Sequence, residues 1–246
     1  MHTFFAEQSQ ISNGMIKILG DDAKHISFSL RMAKGDHITV CNNQRKEYDC
    51  VLTAFDEGCV TAEIVEEREA VGESPLHIIL YQGLPKGDKL DTVIQKAVEC
   101  GVTEIVPFES ERCIAKAKAE AEARKTERRN RIAIEAAKQC GRGCIPEVHQ
   151  TVSFECALQG AKAADLCLIC YEDEDKTTIK QVLKKHTDKR LDSVSVLIGS
   201  EGGFSPQEIK KAIEAGMIPV SLGKRILRTE TAPVFVLSCL SYEFEL

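Results

Sequence analysis

No apolar run in this 246-residue chain reaches the length that crosses a bilayer, and the sequence has neither an internal repeat nor a low-complexity tract. A spanning helix needs about 20 consecutive apolar residues, so no membrane partner is expected. Positive charge is not in excess: 32 Lys and Arg against 38 Asp and Glu leave a formal net charge of -6. That balance speaks against a protein that coats nucleic acid over its whole surface, but it leaves room for a local basic patch. The segment His2-Thr3-Phe4-Phe5-Ala6-Glu7 lacks the layout of a secretory signal, so a cytoplasmic protein is expected.

The eleven cysteines are odd in number and scattered, which argues against a disulfide framework and for reduced thiols. Cys167 and Cys170 have a zinc-like spacing, but they sit in the strand-like run Leu166 to Tyr171, where residues three apart point to opposite faces. Cys140-Gly141-Arg142-Gly143-Cys144 is not a metal-knuckle spacing and has no partner pair. No metal is expected.

What the chain does have is a pair of glycine turns in its C-terminal third. The apolar run Val194 to Ile198 opens into Gly199-Ser200-Glu201-Gly202-Gly203-Phe204, and a second turn follows at Leu222-Gly223-Lys224-Arg225-Ile226-Leu227-Arg228. The first lacks the Gly-Lys-Ser/Thr ending of a phosphate-cradling loop and the G-x-G-x-x-G spacing of a dinucleotide site, so neither ligand class is favoured. It leads into a well-formed helix start, with Ser205 as N-cap, Pro206 at the first helical position and Glu208 completing a capping box. A single turn of this kind can simply join a strand to a helix. Two of them describe a small-molecule site built from backbone, because glycine lets the main chain approach a ligand where a Cβ would clash. Lys224, Arg225 and Arg228 put that site beside something anionic, such as a phosphate-bearing substrate.

Charge is unevenly spread. Residues 111–131 hold eight cations (Arg112, Lys116, Lys118, Arg124, Lys125, Arg128, Arg129, Arg131) against Glu111, Glu120, Glu122 and Glu127, a local balance of +4. The run reads either as a phosphate-facing surface or as a solvated helix of mixed charge.

Texture divides the chain in two, at residues 1–72 and 73–246. His37 to Cys41, Glu47 to Ala54 and Cys59 to Val65 are short alternating or β-branched runs separated by turn residues, which predicts a small antiparallel barrel or sheet. Glu66 to Glu69, followed by Gly72 and Pro75, reads as a linker. From Leu76 strand-like and helix-like segments alternate: Leu76 to Tyr81, a helix through Leu90, Val93, Ile94, Ala97 and Val98 that stops at Gly101, then Glu104 to Phe108, Leu166 to Tyr171 and Val194 to Ile198. An α/β domain with a largely parallel sheet follows, and it carries both glycine turns.

Several strings in this chain resemble the RsmE-type 16S ribosomal RNA uridine-N3 methyltransferases of the SPOUT superfamily. They are His25-Ile26-Ser27-Phe28-Ser29-Leu30-Arg31 with Lys34-Gly35-Asp36; Lys86-Gly87-Asp88-Lys89; Gln95-Lys96-Ala97; Glu99-Cys100-Gly101-Val102; Ser110-Glu111-Arg112; and Gln139-Cys140-Gly141-Arg142 with Pro146. The most specific are Ile198-Gly199 with Glu201-Gly202-Gly203-Phe204, and Leu222-Gly223 through Leu227-Arg228-Thr229-Glu230-Thr231-Ala232. Ser200 stands where many relatives have Pro, and Lys138 where Glu precedes Gln139-Cys140.

The resemblance implies an N-terminal PUA-like β-barrel, an α/β methyltransferase domain whose C-terminal segment forms a trefoil knot, and a homodimer acting on 16S rRNA of the small ribosomal subunit. It implies S-adenosylmethionine held by Tyr171-Glu172, by Ile198-Gly199 with Glu201, Gly202 and Gly203, and by Leu222-Gly223 with Ile226, Leu227 and Arg228. Arg228 is the first choice to stabilise the uridine anion that forms when N3 loses its proton, and Arg112 and Arg142 match positions near the substrate. Glu201 and Glu230 are possible bases. Arg31, Lys34, Lys89, Arg128 and Arg129 are candidate RNA contacts. A SPOUT enzyme acting on a ribose 2′-hydroxyl or on transfer RNA stays open, as does a non-enzymatic assembly factor, against which the intact glycine turns argue.

Overall fold

The computed structural model describes every residue except Met1, Lys118 and Lys189, with only the backbone of Ala119; Lys118, counted in the basic run, thus lies outside the described residues. The chain forms two compact units, Met1–Glu73 together with Ala137–Ile145, and Ser74–Ala136 together with Pro146–Leu246. The sequence gives no hint that Ala137–Ile145 belongs with the first unit, since the reason is a tertiary ion pair. Arg142 donates from Nη2 to Glu73 Oε2 at 2.7 Å and from Nε to Oε1 at 3.3 Å, and both side chains are buried. The same Glu73 Oε1 accepts the backbone N–H groups of Gly143 and Cys144 at 2.9 and 3.0 Å. Lys138 reaches Asp22 Oδ1 at 2.6 Å.

The first unit contains β1 (Thr3–Phe5), β2 (Ile11–Ser12), β3 (Met15–Leu19), α1 (Gly20–Lys24), β4 (His37–Cys41), β5 (Lys46–Asp56) and β6 (Cys59–Glu69). Its six strands form one sheet in the order β1-β4-β5-β6-β3-β2, antiparallel except where β1 runs parallel to β4. Alternation places Tyr48, Cys50 and Leu52 of β5 inward, on a core with Ile16, Ile18, Ile26, Ile38 and Val60. Glu66 to Glu69 are strand, not linker: they continue β6 and pair across to Lys46 through Asp49. Opposite charges across the ladder make a polar strand end tolerable, with Arg68 at 2.6 Å from Glu47 and Lys46 at 2.9 Å from Glu69.

The second unit contains β7 (His77–Gly83), α2 (Lys89–Glu99), β8 (Glu104–Glu109), α3 (Ala119–Cys140, whose end belongs to the first unit), β9 (Glu147–Val148), β10 (Val152–Ser153), α4 (Phe154–Ala161), β11 (Leu166–Cys170), α5 (Ile179–Lys184), β12 (Ser193–Ile198), α6 (Pro206–Glu214), β13 (Ile218–Val220) and α7 (Thr231–Phe244). All its strand pairings are parallel, in the order β10-β8-β7-β12-β11-β13 with β9 beside β8. Nearly unbroken apolar strands such as Val194 to Ile198 are what a parallel sheet covered on both faces requires. Three rings, Phe108, Phe154 and Phe204, pack with centroids 6.0 to 6.2 Å apart. Phe204 roots the first glycine turn in this core.

Candidate functional site

Strands β11, β12 and β13 lie side by side, and Cys170 is in register with both Ile198 and Val220. Three loops therefore leave the sheet at one level, and the crevice outside the carboxyl ends of parallel strands is where open α/β sheets bind ligands. Main-chain bonds tie two of the loops together: Tyr171 N–H donates to Val220 O at 3.0 Å, Ser221 N–H to Thr177 O at 2.8 Å and Ile179 N–H to Ser221 O at 3.0 Å.

The Gly199 to Gly203 turn is compact. Gly203 has φ +63°, and its N–H donates to Ser200 O at 3.0 Å. A Cβ on Gly199 would lie 3.0 Å from Gly203 Cα, and one on Gly202 would lie 2.9 Å from Arg112 Cβ and 3.0 Å from Arg112 O. At these two positions the close neighbour is the protein itself, not an open ligand face as glycine spacing alone suggests. Gly223 is different: φ is +113°, and nothing stands within 4 Å of where a Cβ would be. That turn is held by backbone conformation and stays open.

Two side chains strap the first turn. Thr229, buried, donates from Oγ1 to Gly199 O at 2.8 Å, and the fully buried Gln82 donates from Nε2 to Thr229 Oγ1 at 3.0 Å and to Gly83 O at 3.0 Å. Gln82 Oε1 and Ser200 Oγ are buried without a hydrogen-bond partner. On the far side of the turn Ser205 and Glu208 form the expected capping box, and Glu208 Oε1 also accepts the N–H of Glu111 at 2.8 Å.

Charged side chains over the turn pair with one another. Glu201 Oε1 accepts Lys89 Nζ at 2.9 Å and the Lys86 N–H at 3.2 Å, while Glu230 lies 3.4 Å from the same Lys89. Burial pushes the Glu201 carboxyl up, but Lys89 and the backbone donors outweigh it and hold it below the usual glutamate value. The Lys89 ammonium is raised, first by its hydrogen bond to Glu201. Glu230 is thus Lys89's neighbour, and among the described residues the exposed Arg228 guanidinium has no ion pair or hydrogen bond. Arg112, also exposed, donates to Gly202 O at 3.3 Å. Tyr171, half-buried, donates to Asp173 Oδ2 at 3.0 Å, and Glu172 packs its carboxylate over Gly203. Ile198 is buried, Leu222 and Leu227 are half-buried, and Ile226 is 86% exposed.

Of the basic run, Arg129 is not at the surface. It is buried against Glu122 at 2.7 Å and Thr151 at 3.3 Å. Arg128 grips Asp91 with both terminal nitrogens, at 2.7 and 2.9 Å, and Arg131 pairs with Glu127. Arg124 and Lys125 are exposed. Arg31, Lys34 and Arg142 belong to the first unit, where Arg31 and Lys34 are exposed and Arg142 is buried on Glu73. Among the described residues no group of three or more His, Cys, Asp or Glu is arranged to hold a metal.

A separate cleft of about 520 Å³ lies at the starts of α4 and α6, lined by Glu109, Lys116, Glu155, Glu208 and Lys211 among others. Both of its lysines are taken up in ion pairs, Lys211 on Glu155 at 2.9 Å and Lys116 on Glu109 at 3.4 Å, and Glu208 is spent on the backbone N–H groups of Glu111 and Ser205. Unlike the loops it has no concentration of glycine backbone, and the loops remain the better candidate. Sequence reasoning missed Gln82, although a polar residue inside the apolar strand β7 was a signal. Thr229 lies within one of the family-like strings, and nothing in the sequence marks it as the residue that straps the turn.

Comparison with known proteins places these features in context. A model of the RNA methyltransferase domain family matches residues 72–241. Ribosomal RNA small subunit methyltransferase E of Bacillus subtilis is 34% identical over 100% of this chain and 98% of its own length. The protein of that name from Aquifex aeolicus is 34% identical over 98% of this chain and 99% of its own length. The crystal structure of a ribosomal RNA small subunit methyltransferase E from Neisseria gonorrhoeae, bound to S-adenosyl methionine, superposes with a TM-score of 0.87 at 32% identity, covering 98% of this chain and 97% of that one.

Proposed function

This chain belongs to the ribosomal RNA small subunit methyltransferase E family of RNA methyltransferases, and from that membership we propose that it transfers a methyl group from S-adenosylmethionine to N3 of a uridine in 16S ribosomal RNA. The observation that carries the reading is the Gly199 to Gly203 turn, strapped by Thr229 and Gln82 at the aligned ends of three parallel strands.

The residues present fit the cofactor. Gly223 leaves an open backbone face, Ile226 offers an exposed apolar side chain, and Ser200 Oγ is a buried group in want of a partner. The main chain of Gly199, Gly202 and Gly203, with Leu222, Gly223 and Ile226, would hold it, and Tyr171, Glu172 and Leu227 would close around it. When bound, S-adenosylmethionine supplies a methyl group already activated on a sulfonium sulfur. The protein then has to align the acceptor and stabilise charge. Uridine N3 is a poor nucleophile until its imide proton leaves, and the unpaired guanidinium of Arg228 stabilises the resulting anion through its oxygens. Arg112, anchored on Gly202 O, orients the substrate from the other side of the turn. Glu201 and Glu230, engaged with Lys89, hold the loop.

N3 lies on the pairing edge, so the target base is unpaired or extruded when it reacts. Arg31 and Lys34 of the first unit contact RNA phosphates, and so, separately, do Arg124 and Lys125 of the second, whereas Arg128 is held on Asp91. The same reading includes a PUA-like first domain, a knotted C-terminal segment, a homodimer and a cytoplasmic location. Incubating the protein with methyl-labelled S-adenosylmethionine and, separately, small subunits, naked 16S RNA and transfer RNA tests the proposal. Label should enter small-subunit RNA; label confined to transfer RNA, or none, would refute it.

A further inference from the structure

Phe28 of the first unit is 77% exposed in a chain whose aromatic content is 5%. Its position follows from an unusual backbone. After α1 the helix widens over His25–Ser29 into a π turn, closed by the Leu30 N–H donating to His25 O at 2.9 Å, and Met32 N–H then reaches back to Ile26 O at 3.1 Å. Ile26 is buried and Leu30 packs on the same core. Phe28, midway between them along the turn, is left on the opposite, solvent side. Such widened turns recur at functional positions.

Cations flank this ring. From residue 24 to residue 35 the chain carries Lys24, Arg31 and Lys34 and no carboxylate; of the carboxylates just outside, Asp21 lies 3.4 Å from Lys24 and Asp36 accepts the Ala33 N–H, which leaves Arg31 and Lys34 as the exposed cations without an ion pair among the described residues. Lys24 is four residues before Phe28, a spacing that shares a helix face, and Arg31 follows three residues after it, just past the end of the turn. His25 and Arg31 are exposed as well. Arg31 also holds φ +52° where the helix ends, a position at which glycine is the unstrained choice. A strained arginine beside an exposed phenylalanine is costly for a fold that has no use for either.

We propose that Phe28 is a stacking platform for one unpaired RNA base, with Lys24, Arg31 and Lys34 holding the phosphates on either side. This rests on the reading of the protein as an RNA methyltransferase and names a contact outside the methyl-transfer site. An exposed apolar ring with cations close to it in the chain suits single-stranded nucleic acid, because every base has a face to stack and every linkage an anion to neutralise.

The chain has no tryptophan, so Phe28→Trp makes a single-tryptophan reporter in the full-length protein. Its fluorescence should be quenched by a short unpaired oligouridine and little changed by a fully paired RNA duplex. Phe28→Ala should weaken oligouridine binding about tenfold, equivalent to about 1.4 kcal/mol. Phe28→Tyr should restore it, with melting temperatures unchanged because the ring is outside the core. Absence of quenching together with wild-type affinity in Phe28→Ala would overturn the proposal. So would a change in sedimentation of Phe28→Ala with RNA affinity intact, since the ring would then face a second copy of the chain. If wild-type protein methylates small subunits while Phe28→Ala binds and reacts normally, only the stacking role fails; if wild-type protein transfers no methyl group to any RNA, the enzymatic reading fails with it.

Discussion

Thr229 and Gly199, thirty residues apart, are joined by a buried hydrogen bond of 2.8 Å from the threonine hydroxyl to the glycine carbonyl. The same hydroxyl accepts the Gln82 amide, so one oxygen fixes the first glycine turn against both the last loop and strand β7. Thr229→Val keeps the shape and removes the bond, leaving buried polar groups unpaired at a cost of about 1–3 kcal/mol. Cofactor affinity by calorimetry should fall about tenfold and the melting temperature should drop, whereas Thr229→Ser should stay near wild type.

The two kinds of glycine differ in what a side chain would cost. Gly202→Ala drives a Cβ into Arg112, whose backbone carbonyl would be 3.0 Å away, and overpacking of that sort costs about 1–3 kcal/mol. Gly223→Ala meets no neighbour but cannot hold φ +113° without strain. Thermal melts should therefore show a loss in both variants, from the clash in Gly202→Ala and from backbone strain in Gly223→Ala, and Gly223→Ala should in addition lose about tenfold in S-adenosylmethionine affinity.

Glu122 and Arg129 give a stability prediction with a pH signature. Burial raises the Glu122 carboxyl, but the Thr151 hydroxyl and N–H and the Arg129 guanidinium outweigh it and hold it below the ordinary glutamate value. A depressed folded value means the carboxylate adds stability above the unfolded value, about 4.3, and loses it as pH falls through the folded one. In urea unfolding, Glu122→Gln should be clearly less stable than wild type at pH 7, with the gap closing in acid. Arg129→Ala strands a buried carboxylate and should cost about 3–5 kcal/mol. A gap that stays constant with pH would mean the pair is not ionised.

Arg228 tests the mechanism. Arg228→Lys keeps the charge and loses the planar two-donor fork, so single-turnover methyl transfer to small subunits should slow at least tenfold with cofactor affinity little changed. The defect should shrink as pH rises, because deprotonation of uridine N3 by solvent then replaces part of what the guanidinium supplied. A constant ratio of rates at every pH would move the role to Arg112.

The parallel sheet and its loops were legible because they rest on local patterns. The run Val194 to Ile198 and the Ser205-Pro206-Glu208 helix start are set by residues within one turn or strand. What was not legible is tertiary. Glu66 to Glu69 read as linker because charge looks like solvent exposure, until Lys46 and Glu47 on the neighbouring strand supply partners. Arg129 looked like a surface cation because nothing in α3 reveals that Glu122, two helical turns earlier, shares its burial. Arg142 matched a motif near the substrate, whereas its partner Glu73 is 69 residues away. In the candidate site the glycines were visible and the straps were not, since Gln82 and Thr229 meet only once the chain is folded.

The central claim is uridine-N3 methylation of small-subunit RNA, and mass spectrometry of nucleosides from that RNA, in cells with and without this protein, tests it most directly. Cells that have the protein should yield 3-methyluridine in 16S RNA and cells lacking it should not, with the Arg228→Lys form giving reduced amounts. Unchanged 3-methyluridine in its absence, or loss of a ribose-methylated nucleoside instead, would contradict the assignment of the acceptor atom.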